Sequence, residues 1–156
     1  MKKPSEKIRK TLWIISLIIF GASLFCPTYC TNASCSDFGG GFIDLCFGWY
    51  GALFLGNTYA VWFANPFFLT AIFSSHKYPI FSFVFSIIAL LIALTFLKGG
   101  TVLLNEAGHK GYITELQLGY WLWLISMILL VLSLIAPIIQ VIQDNKRFKK
   151  LKNNSL

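Results

Sequence analysis

The chain has 156 residues, 56% of them hydrophobic and 17% aromatic, with only 12% charged and a mean hydropathy of +0.70. Soluble domains carry roughly 25% charged residues, so this apolar excess cannot be hidden in one soluble core, and a bilayer is expected as its solvent. The formal net charge of +7 gathers at the two ends of the chain. That arrangement argues against the ordered basic stripe of a nucleic-acid reader, and no nucleic-acid partner is expected.

In chain order, a basic tail (1–10) holds Lys2, Lys3, Lys7, Arg9 and Lys10 and leads into a first apolar span at about 11–26. The span is short, but flanking basic side chains can snorkel toward the interface. It is expected to stay as an uncleaved anchor: a lipoprotein-type Cys26 would want a small residue before it, and Phe25 is not small. A third span at about 80–97 enters through Pro79, which a first helical turn tolerates. A fourth runs over about 119–142, followed by a basic tail at 144–156 that is expected to be mobile near lipid headgroups.

Between the first and third spans, residues 42–73 are too many for one upright crossing and too few for two with a turn. Gly56-Asn57 reads as the break. Residues 42–55 give only about 21 Å of helix against about 30 Å of hydrocarbon, so they are expected to form an interfacial or re-entrant helix, with span two at about 57–75. Asp44 and Cys46 near the start of that helix favour contact with water. With four spans, the ten basic residues of the tails and Lys77 fall on one side, and only Lys98 and Lys110 fall opposite. Five spans would part the tails and violate the positive-inside tendency. The expectation is an all-α integral membrane protein of a single domain. It has four transmembrane helices, both termini cytoplasmic and a short external helix.

This topology places Cys26, Cys30, Cys35 and Cys46 outside, in an oxidising compartment, where an even count reads as a disulfide framework of two staples with three possible pairings. Two rivals stand beside it. Zinc would prefer paired C-x2-C knuckles, whereas the intervening stretches here are three, four and ten residues. Thiol–disulfide exchange usually works through C-x-x-C, which is absent. No metal or cofactor is expected.

Asn65-Pro66 lies in the middle of span two, where Pro66 should kink the helix and Asn65 needs a polar partner. The sharper alternative is a broken helix lining a transport path. Trp62, Tyr120, Trp121 and Trp123, with Trp49 of the interfacial helix, read as aromatics of the outer interface, and Trp13 as an anchor at the inner one. Glu106, His109 and Glu115 form the only concentrated ionisable set of the second external loop. They offer possible external contacts without a metal-hydrolase spacing. Ser82, Ser86, Thr95 and Ser126 are expected to bond backbone carbonyls. Asn32-Ala33-Ser34 matches a glycosylation acceptor, meaningful only in a eukaryotic secretory pathway.

"GWYGALFLG", "AVWFANPFFL", "NEAG" and "GYWLWLISMILL" occur in that order. The chain thereby resembles an uncharacterised group of small bacterial inner-membrane proteins with GW-x-x-L-x-x-G, W-x-A-N-P and GYWLW motifs. The matching positions are Gly48-Trp49, Trp62 through Pro66, and Gly119 through Trp123. The resemblance implies a bacterial inner-membrane location and the four-span topology, but no activity, and the cysteine cluster stands outside the shared pattern.

The functional expectation is a non-catalytic binding protein whose external loops or helix faces engage a membrane or secreted protein. An accessory subunit of a membrane complex or an immunity protein against a membrane-active toxin would fit. The alternatives are a redox protein using the external cysteines, and a small transporter or channel centred on Asn65-Pro66.

Overall fold

The computed structural model describes residues 4–104 and 108–154. Helix α1 spans Pro4–Ser23, α2 Gly40–Phe54, α3 Ala64–Ser74, α4 Pro79–Thr95 and α5 Leu118–Asn154. A 3₁₀ segment, Asn57–Phe63, precedes α3, and a 3₁₀ turn, Phe96–Lys98, closes α4. Two of the helical stretches are long and apolar enough to cross a membrane, Pro79–Lys98 and Leu118–Gln143.

One expectation is corrected at once: the chain is not all helical. Strands β1 (Tyr29–Thr31), β2 (Thr101–Leu103) and β3 (Lys110–Leu116) form an antiparallel sheet in the order β1-β3-β2. It ties the two inter-helix loops together, with Tyr29 opposite Leu116 and Thr101 opposite Tyr112. The basic tail also differs from expectation, because α5 continues as one helix through Asn154.

The long helices pack as α1 on α5, α5 on α4, and α4 on α3. Their contacts run through small residues. Ser16, Ser82, Ser86, Ser126, Ala71, Ala89 and Ala93 are all fully buried, around Phe68, Ile72, Met127 and Leu130. Small side chains let backbones approach closely, and hydroxyls can then bond across helices. Ser16 Oγ donates to the Ser126 carbonyl (2.7 Å), and Ser82 Oγ to that of Ala71 (2.6 Å). Ser86, Thr95 and Ser126 bond carbonyls three residues earlier in their own helices. Large apolar groups face outward instead, among them Ile80, Phe81 and Leu91 of α4 and Ile125, Leu132 and Ile139 of α5. Large apolar side chains therefore lie both in the interior and over the outer faces of these helices.

Asn65-Pro66 sits at a change of helix type rather than at a mid-helix kink. The 3₁₀ segment ends at Phe63, and Pro66 falls in the first turn of α3, where its missing N–H costs no intrahelical bond. A 3₁₀ run of seven residues is long for its kind. It is held because α2 lies against it. The chain reverses between them at Gly56, whose φ of +60° falls in the region open to glycine. Gly39, at φ +87°, makes the corresponding corner before α2.

Candidate functional site

The sheet end of the bundle encloses a cavity of about 140 Å³. Its floor comes from Ser23 at the end of α1 and Leu24 just after it, Asn65 of α3 and Trp123 of α5. Asp44, Leu45 and Gly48 of α2 form one wall, and Tyr59 and Trp62 of the 3₁₀ segment another. Tyr29 and Val102 of the sheet, with Phe96 and Tyr120, complete it.

Glycines on α2 let two of the aromatic walls pack close against the helix. A Cβ on Gly48 would stand 2.5 Å from the Trp62 ring, and one on Gly51 would stand 2.5 Å from the Tyr59 ring. The two aromatic side chains therefore press directly against the backbone of α2. Each is locked by a hydrogen bond: Trp62 Nε1 donates to the Leu45 carbonyl (2.9 Å), and the Tyr59 hydroxyl accepts the N–H of Leu103 (2.6 Å). On the facing side, Trp123 Nε1 donates to Asn65 Oδ1 (2.9 Å), and the Tyr120 hydroxyl donates to the Ala93 carbonyl (3.1 Å). Asn65 thus has the interhelical partner that its position demands.

Asp44 supplies the cavity's carboxylate. Thr28 Oγ1 donates to its Oδ2 (2.9 Å), and no lysine, arginine or histidine among the described residues lines the cavity. Burial away from water raises the Asp44 pKa above its usual value of 3.8, while the Thr28 hydrogen bond opposes the shift. Burial, reinforced by the negative charges of Asp44 and Tyr59, likewise pushes the Tyr29 phenol far up. Asp44 is half-buried and lines the cavity, with only one of about four lone-pair positions satisfied by a described side chain.

No family model, curated protein or solved structure matches the chain. The site stands on its own geometry.

The other residues singled out in the sequence fall in several places. Cys30 and Cys35 form a disulfide, whereas Cys26 and Cys46 are free thiols, so one staple replaces the expected two. Cys30 is buried at 5% exposure, and Gln117 Nε2 donates to its sulfur (3.2 Å). Of the five aromatics assigned to an interfacial belt, Trp49 and Trp121 are exposed, but Trp62, Tyr120 and Trp123 line the cavity instead. Trp13, at the opposite end, donates to the Ile72 carbonyl (3.4 Å) and meets His76 edge-on. His109 and Glu115 are exposed beside and within β3, away from the cavity lining, and Glu106 lies outside the described residues. No group of three or more His, Cys, Asp or Glu side chains converges among the described residues.

Sequence reasoning missed Asp44, Tyr29 and Tyr59 as partners. The available signal was the pair Gly48 and Gly51, four and seven residues after Asp44 on one helical face and placed to receive aromatic rings.

Proposed function

We propose that the chain is a non-catalytic integral membrane protein that binds a small ligand in the cavity beneath its outward-facing cap. The observation that carries this reading is the cavity itself, a space walled by aromatic rings, with one carboxylate in its lining. Apolar walls with a few placed polar groups are the usual anatomy of a ligand site. Binding through the cavity replaces the loop-mounted protein contact as the leading form of a binding protein. An accessory or immunity role remains compatible with it.

Four crossings underlie the proposal. The 3₁₀ segment rises about 2.0 Å per residue and α3 about 1.5 Å, so together they reach about 30 Å, the thickness of the hydrocarbon. The exposed apolar faces of α4 and α5 supply the lipid contact. The basic clusters then put both tails in the cytoplasm and the sheet, with α2, on the outer side of a bacterial inner membrane.

The test is retention of a bound molecule. Protein taken from native membranes, freed of loosely held lipid and then denatured, should release one small organic molecule per chain, seen by mass spectrometry. Val61→Phe, which fills the cavity from the 3₁₀ segment, should keep the fold and lose the molecule. If the wild type releases nothing, and binds no alcohol, amine or acid of about benzene size, the proposal is wrong.

A further inference from the structure

The walls of this cavity restrict what it can hold. About 140 Å³ matches the space that receives a benzene-sized molecule, for which about 150 Å³ suffices. An uncharged apolar guest would leave Asp44 facing it without a new partner. An anion would meet a carboxylate and electron-rich ring faces, with no cationic side chain in the lining. An organic cation meets the opposite situation: tyrosine and tryptophan faces attract it through their quadrupoles, and the carboxylate balances its charge.

The geometry points to an organic ammonium group as the ligand of this cavity, paired with Asp44 and enclosed by Tyr29, Tyr59, Trp62 and Trp123. The inference rests on the cavity's being a binding site, as proposed above, and adds the chemistry of what it binds. The raised pKa of Asp44 agrees with it, because a buried carboxyl without a cation is held toward its neutral form and an entering ammonium favours the charged one. Such a group has two sources, a free small amine or the headgroup of an aminolipid.

Both are addressed with the full chain in nanodiscs, following fluorescence of the cavity tryptophans. In discs of phosphatidylglycerol alone, choline and n-butylammonium should bind saturably. Their neutral counterparts of matched size, 3,3-dimethylbutanol and n-butanol, should bind at least about tenfold more weakly, as expected for loss of a desolvated charge and its cation–π contacts. Butyrate should not bind.

Asp44→Asn keeps an acceptor for Thr28. It should weaken choline binding about tenfold or more and leave 3,3-dimethylbutanol unchanged, which also reports that the variant is folded. Discs containing phosphatidylethanolamine separate the sources: competition with added choline identifies the headgroup as an occupant, and unaltered choline binding identifies free amines. Equal affinity for cations and neutral isosteres, or a cation affinity indifferent to Asp44→Asn, would overturn the inference while leaving a neutral-ligand cavity in place. Binding of no probe at all would overturn both readings.

Discussion

Asp44 carries the clearest residue-scale consequence. Its folded pKa lies above that of the free side chain, so between the two values the folded state holds a proton that the unfolded chain has released. Stability is then greatest at low pH, falls as pH rises from about 3.8 through the folded pKa, and levels off beyond it. Asp44→Asn removes this term. Thermal unfolding in detergent from pH 4 to 8 should show the wild type losing ground to the variant as pH rises. A constant gap across that range would mean that Asp44 is not desolvated. At this scale the sequence was only partly legible. Asn65 announced its need for a partner, but nothing in the string named Trp123, 58 residues away. Asp44 looked like a water-facing charge because its local neighbours gave no hint of the Thr28 hydroxyl or of the rings around it.

At the scale of elements, α5 begins where the segment after α1 passes closely. The Gly119 N–H donates to the Pro27 carbonyl (2.8 Å), and a Cβ on Gly119 would stand 2.7 Å from that oxygen and 2.8 Å from the Cys26 carbonyl oxygen. These are backbone atoms and cannot rotate away. Gly119→Ala should therefore destabilise the fold by about 1–3 kcal/mol, read as a lowered Tm, and an unchanged Tm would show that the two segments do not touch. The positions of the helices were legible, because long apolar runs with Pro79 and Gly39 at their corners leave few alternatives. The sheet was not. β1 and β2 have three residues each, too few to show alternation, and Tyr112-Ile113-Thr114 in β3 was the one β-favouring cluster. Pairing partners so far apart leave no periodic trace in the chain.

At the scale of the whole molecule, buried serines and alanines between the helices, with many leucines and isoleucines exposed around them, agree with the proposed hydrocarbon solvent around the two helices long and apolar enough to cross a membrane. In a variant lacking Cys26 and Cys46, single cysteines at Asp37 and Lys98 should react with an impermeant maleimide on intact cells, and cysteines at Lys77 and Lys146 only after permeabilisation. Labelling of Lys77 or Lys146 from outside would refute the four-span topology. The pairing of β1 with β3 carries a consequence for biosynthesis. The Cys30–Cys35 loop spans only five positions and can close as soon as it reaches an oxidising compartment. Tyr29–Thr31, however, must wait for Ile113–Leu116, which leave the ribosome more than eighty residues later. Non-local pairings of this kind form late. Until then, the half-finished chain exposes the aromatic rings of the future cavity, making this the stage at which a quality-control protease can tell an aborted product from a finished one.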